Sequence, residues 1–107
     1  MSDIFKALAD PTRRKILDSL NETNGQTTGK LCEHFDMSRQ AVIKHLAILE
    51  FAGLVVTIQH GRETLHYINP IPISELYERW IGKYERHHVQ ALNTLKKALE
   101  ERSNKKA

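Results

Sequence analysis

At 107 residues the chain has room for one domain with a thin core. Its 40% apolar and 27% charged content argues against wholesale disorder, and no run approaches the roughly 20 apolar residues that span a bilayer. Sixteen Lys and Arg against thirteen Asp and Glu leave a formal charge of +3, which admits a polyanionic partner but is too small an excess to establish one.

Ile4, Phe5, Leu8 and Ala9 recur at helical spacing and predict a short first helix over residues 1–9 with one apolar face. Asp10 as N-cap and Pro11 at the first helical position open a second helix, which carries Ile16, Leu17 and Leu20 and runs to about Leu20. Asn21 to Gln26, with Gly25, reads as a turn, and Thr27 or Thr28 caps a third helix through Phe35. After the two residues Asp36 and Met37, Ser38 caps a fourth helix that reaches about Ala52. Two short helices joined this tightly, over residues 28–52, form a helix-turn-helix.

Gly53 stops the fourth helix as a left-handed residue, and Leu54 to Ile58 switches to the two-residue period of a strand. Gln59-His60-Gly61-Arg62 supplies the turn and Glu63 to Ile68 the return strand, so residues 54–68 form a hairpin that reads as a wing. Pro70 and Pro72 mark the exit. From Ile73 a stripe of Leu76, Tyr77, Trp80, Ile81, Tyr84, Ala91, Leu92, Leu95, Ala98 and Leu99 predicts a helix to about Glu101, followed by a polar tail, residues 102–107, that is expected to fray. The expected fold is therefore mainly α with a small β-hairpin, a single winged helix-turn-helix domain.

A last helix of about 43 Å, at 1.5 Å per residue, is longer than a domain of this size covers. Its stripe predicts a homodimer in which residues 1–9 and 73–101 meet their copies, through Ile4, Phe5, Leu8, Tyr77, Trp80, Tyr84, His88, Ala91, Leu92 and Leu95. The alternative is a helix folded back on its own core.

In the fourth helix Ala41, Val42, His45, Leu46 and Leu49 form one inward stripe, and Arg39, Gln40, Ile43, Lys44 and Ala47 the opposite face. Arg and Gln match the hydrogen-bonding edges of guanine and adenine in the major groove of double-stranded DNA, and an exposed Ile43 suits a thymine methyl. Lys44, Thr27, Thr28 and Ser38 suit phosphates, and Arg62 on the wing suits a minor groove, with His60 beside it. His45, although on the inward stripe, is counted with these DNA-binding candidates. Taken singly, Arg39, Lys44 and Arg62 could equally be solvated surface charges. The serial order of short helix, tight turn, capped helix, glycine stop and basic hairpin favours DNA.

Three stretches carry a specific resemblance: Ala7-Leu8-Ala9-Asp10-Pro11-Thr12-Arg13-Arg14-Lys15-Ile16-Leu17, then Met37-Ser38-Arg39-Gln40-Ala41-Val42-Ile43-Lys44-His45-Leu46, then Ala52-Gly53-Leu54-Val55. With Gly61-Arg62 before Tyr67, the chain up to Ile68 resembles the ArsR-type family of winged-helix repressors. The resemblance implies a homodimer that binds an inverted-repeat (palindromic) operator and blocks transcription, released in many relatives by an effector that is often a metal ion.

This sequence departs from the metal-sensing pattern. The family's Cys-x-Cys pair is absent, and Cys32 and His34, about 200° apart around a helix, do not share an ion, so Cys32 reads as a buried, inert side chain. On the last helix Glu85 and His88 share a face beside His87, but the acidic residue and histidine expected near its start are missing. No metal or other cofactor is predicted. Nor is a catalytic centre, for want of a phosphate loop, a His-Glu-x-x-His motif or a nucleophile elbow. The lone cysteine suits a reducing compartment and the N-terminal segment lacks a signal-peptide core, so a cytoplasmic location without a membrane partner is expected. Two other readings share the fold: a metal- or ligand-sensing repressor, and a dimeric protein-interaction module without DNA.

Overall fold

Local capping chemistry sets where the first helices begin and end. In the computed structural model, which describes residues 2–106 and side chains through residue 103, α1 (Ser2–Leu8) leads directly into α2 (Pro11–Glu22). Met1 and Ala107, the outer ends of the predicted first helix and polar tail, lie outside the described residues. The Asp10 carboxylate accepts the backbone N–H groups of Thr12 at 2.8 Å and Arg13 at 3.2 Å, with Pro11 in the first turn. The bond from the Arg13 N–H, ahead of the one from Thr12 and the nearby guanidinium, holds the Asp10 carboxyl below the ordinary carboxylate pKa. Two arginines then reach back to the C-terminal carbonyls of α1: Arg13 donates to Ala7 at 2.8 Å and Lys6 at 3.0 Å, and Arg14 to Leu8 at 2.7 Å. These bonds fix α1 on α2.

The stretch read as a turn through Gln26 is more ordered. α2 continues to Glu22, and Gln26–Thr27 form a two-residue strand, β1, paired to the return strand of the hairpin through Gln26↔His66 and Thr27↔Leu65. So short a strand has no period to detect, and its partner lies some forty residues away in sequence. The Gln26 amide is buried and donates to Ser19 and Thr23 at 2.9–3.0 Å, satisfying the carbonyls at the end of α2.

Thr27 rather than Thr28 caps α3 (Thr28–Phe35), accepting the Lys30 N–H at 3.2 Å. Asp36 ends α3 in the left-handed region at φ 48°, and Ser38 caps α4 (Arg39–Phe51) by accepting the Ala41 N–H at 3.2 Å. At the end of α4, Gly53 takes φ +77° while its N–H donates to Glu50 and that of Leu54 to Leu49, both at 2.9 Å. This paired closure needs a residue that tolerates positive φ.

The hairpin consists of β2 (Val55–His60) and β3 (Glu63–Ile68), antiparallel from Val55↔Ile68 to His60↔Glu63, in a sheet ordered β1-β3-β2. Leu54, expected to begin the strand, instead completes the helix stop. Gln59 and His60, expected in the turn, belong to β2, leaving only Gly61-Arg62 at the tip with Gly61 at φ +62°. Only the first central residue of the tip needs positive φ, which matches a two-residue turn that follows the strands' twist.

The chain divides into two compact units, one through Pro72 and one from Ile73. The first has a core of Ala7, Ile16, Leu17, Leu20, Leu31, Val42, Leu46, Leu49, Leu54 and Val55, all buried. Each such Leu, Ile or Val side chain contributes about 1.5–3 kcal/mol by leaving water. In α1 the fully buried residue is Ala7. Ile4 and Leu8 of the predicted apolar face are half-buried, while Phe5 and Ala9 are exposed.

α5 (Ile71–Leu76) begins two residues before the predicted start, with the Asn69 side chain accepting the Ile71 N–H at 3.3 Å and Pro72 in the first turn. In the second unit it passes into one π-helical turn, Tyr77–Ile81, and then α6 (Gly82–Lys106). A Cβ at residue 82 would stand 3.2 Å from the Tyr77 ring and 3.3 Å from its carbonyl oxygen, a fit that glycine provides. The Tyr77 hydroxyl donates to Glu85 at 2.6 Å, a bond that raises the Tyr77 pKa. Arg102–Lys106, expected to fray, continue the helical backbone.

Candidate nucleic-acid interface

The face of α4 opposite the core is the surface that the helix-turn-helix offers to a partner. Arg39, Gln40, Ile43, Lys44 and Ala47 are all exposed, and Val42, Leu46 and Leu49 are buried. The apolar half of the helix anchors it, so the other side chains project at fixed angles from a rigid element. Ile43 remains about half exposed with no apolar neighbour required of it by the core.

Arg39 also lines a cavity of about 200 Å³ that it shares with Thr27, Thr28 and Gly29 at the start of α3 and Arg62, Glu63 and Thr64 on the hairpin. Three separated segments thus bring two guanidinium groups and the first turn of a helix to one concavity. Backbone N–H groups at a helix start and arginine forks are both donors suited to phosphate oxygens. Ser38 is exposed beside it, although its hydroxyl already accepts the Ala41 N–H.

Three of the predicted contacts are placed differently. Thr28 is only 7% exposed and its hydroxyl lies 2.9 Å from His66 Nε2, so that hydroxyl is engaged inside the protein and only its backbone faces the cavity side. The Thr27 hydroxyl is occupied as the α3 cap. His45 is half-buried with Nδ1 3.4 Å from Arg13 Nη1, on the inward side of α4, where it joins that helix to the α1–α2 corner. His60 and Arg62 are exposed at the far end of the hairpin, as expected.

Residues that the sequence reading passed over complete the site. A second cavity, about 250 Å³, separates α4 from the strands and is lined by Arg39, Ile43, Leu46, Ala47 and Glu50 on one side and Thr28, Thr57, Thr64 and His66 on the other. Strand alternation carries the signal that would have found Thr57, Thr64 and His66. Val55, Thr57 and Gln59 share a face with their partners Ile68, His66 and Thr64. Glu50 and Glu63 bring acid to a surface otherwise basic, and no periodicity would have singled them out.

In the second unit Tyr77, Trp80, Tyr84, His88, Ala91, Leu92 and Leu95 are exposed, with Trp80 at 45%, and the Trp80 and Tyr84 ring centroids lie 6.4 Å apart. Among the described residues, no three His, Cys, Asp or Glu side chains gather as metal ligands would, and no helix is long and apolar enough to cross a membrane. Cys32 is half-buried rather than buried.

A helix-turn-helix followed at once by a β-hairpin, with the second helix and hairpin tip presenting the basic side chains, defines a winged-helix DNA-binding protein. Residues 10–57 match the family described as "Bacterial regulatory protein, arsR family". The HTH-type transcriptional regulator YuzN of Bacillus subtilis is 45% identical over 84 residues, covering 73% of this chain and 91% of that protein. The transcriptional repressor SdpR of the same organism is 39% identical over 69 residues, 64% of this chain and 76% of the repressor. The solved structure of an ArsR-like transcriptional regulator from Rhodococcus sp. RHA1 superposes with a TM-score of 0.73 at 29% identity, covering 92% of this chain and 89% of that one. The chain belongs to the ArsR family of bacterial regulatory proteins and is a DNA-binding transcriptional regulator, not an enzyme.

Proposed function

We propose that the chain is a cytoplasmic repressor that binds an inverted-repeat operator as a homodimer. The observation that carries this reading is the convergence of Arg39, Arg62 and the start of α3 on one concavity beside the exposed face of α4. Arg39 and Gln40 read base edges, Ile43 contacts a thymine methyl, Lys44 and the backbone at Thr27 and Thr28 hold phosphates, and Arg62 with His60 follows the wing to a neighbouring groove.

The exposed aromatic and aliphatic stripe of α6 supports the dimer, since apolar surface of that extent usually marks an association face. Two-fold symmetry would repeat the recognition helix in successive major grooves about 34–36 Å apart. Repression follows when such a dimer covers promoter DNA.

Footprinting the protein on the DNA upstream of its own coding region tests the proposal. Protection of two inverted half-sites about one helical turn apart supports it. Uniform or absent protection across that region, at moderate salt, contradicts it. In cells, a reporter behind the protected site should be derepressed by the combined Arg39→Ala, Lys44→Ala and Arg62→Ala variant. A protein-interaction module would leave that reporter unchanged.

A further inference from the structure

Every buried polar ring in a core this small needs a reason to be there, because an apolar side chain would fill the space without desolvation. His66, in the middle of β3, is 4% exposed, and both ring nitrogens are engaged: Nε2 with the Thr28 hydroxyl at 2.9 Å and Nδ1 with the Thr57 hydroxyl at 3.2 Å. Thr28 is the first residue of α3, and Thr57 is the cross-strand partner of His66 on β2. One imidazole therefore joins the helix-turn-helix to both strands of the hairpin. Its position matters because the 250 Å³ cavity lies between α4 and these strands, so apolar packing does not fix the hairpin against the outer part of α4. The ring lines that cavity, as do both of its hydroxyl partners.

We propose that His66 is a positioning residue for DNA recognition, whose bridge from Thr28 to Thr57 fixes the wing against the helix-turn-helix so that Arg62 and Arg39 engage one duplex together. The inference rests on the DNA contacts proposed above for Arg39 and Arg62. A histidine suits the task because its two nitrogens lie on opposite sides of a planar ring, and hydroxyls serve either tautomer by donating or accepting. Holding the wing in advance removes the ordering cost that a swinging hairpin would incur on binding.

The test uses full-length protein and a duplex of about 30 base pairs enriched by the wild-type chain from a randomised pool, long enough for two half-sites. Kd is measured by fluorescence anisotropy for His66→Leu and Thr57→Val, each alone and combined with Arg62→Ala or Arg39→Ala. Amide hydrogen exchange over Gln59 to Thr64 is followed without DNA. Each bridge variant is expected to weaken binding on the order of fivefold and to speed exchange across the wing. Arg62→Ala should cost far less in either bridge variant than in the wild type, whereas Arg39→Ala should keep its full cost. Thr57 is exposed, so Thr57→Val preserves the test if His66→Leu does not fold. If Arg62→Ala costs the same fold-change in all backgrounds, or wing exchange is unaltered, the proposal is overturned. A wild-type chain that enriches no duplex contradicts the DNA-binding reading instead, and the exchange measurement alone then decides whether the bridge holds the wing.

Discussion

His66 and Arg39 show how differently single residues carry this fold and its function. Burial pushes the His66 pKa below its ordinary value near 6.5. The unfolded chain therefore takes up the proton first as pH falls, so the stability due to neutral His66 is complete above about pH 6.5 and is lost as pH drops through the lowered folded value. Urea denaturation from pH 7.5 down to 5 should show wild-type stability falling more steeply than that of His66→Leu; parallel curves would count against the assignment. Arg39 has the opposite character, exposed and with no role in the core. Arg39→Ala should leave the urea midpoint unchanged and cost about 1–3 kcal/mol of binding to a selected duplex, if it makes a bidentate contact with guanine. A displaced midpoint would show that the side chain is structural.

Among the elements, those with local causes were legible in the sequence. Asp10 before Pro11, Ser38 before the fourth helix and Gly53 after it each sit where the structure uses them, because a cap is chemistry between residues two to five apart. The strand Gln26–Thr27 was not legible, since its partner is β3 and its length gives no period. The π-helical turn was hidden for another reason: the apolar repeat marks a face and does not count the residues of each backbone turn. The candidate site divides in the same way. The outward face of α4 follows from helical spacing, while the engagement of Thr28 by His66 depends on a pairing across nearly the whole first unit. At this scale Gly61→Ala should strain the wing tip, where φ is +62° and open space surrounds the missing Cβ. The cost is expected to be about 1 kcal/mol and purely conformational. Gly61→Asn, which tolerates that region better, should recover part of it in the same thermal melts.

For the whole molecule, the exposed stripe on α6 predicts association. Trp80→Glu with Leu92→Glu should convert a dimer to a monomer in light scattering coupled to gel filtration, without loss of helix by circular dichroism. A wild-type chain that is monomeric at micromolar concentration would remove the case for a two-fold operator. The account's central claim is that the exposed face of α4 and the wing read DNA sequence. It is tested most directly by the affinity of the full-length protein for its selected duplex and for a scrambled duplex of equal length, measured across a salt series. The account predicts a preference on the order of a thousandfold or more, and a salt dependence that becomes shallower by about one unit of slope for each of Arg39, Lys44 and Arg62 that contacts a phosphate when changed to alanine. Equal affinity for the two duplexes, with a salt slope indifferent to those three side chains, would contradict it.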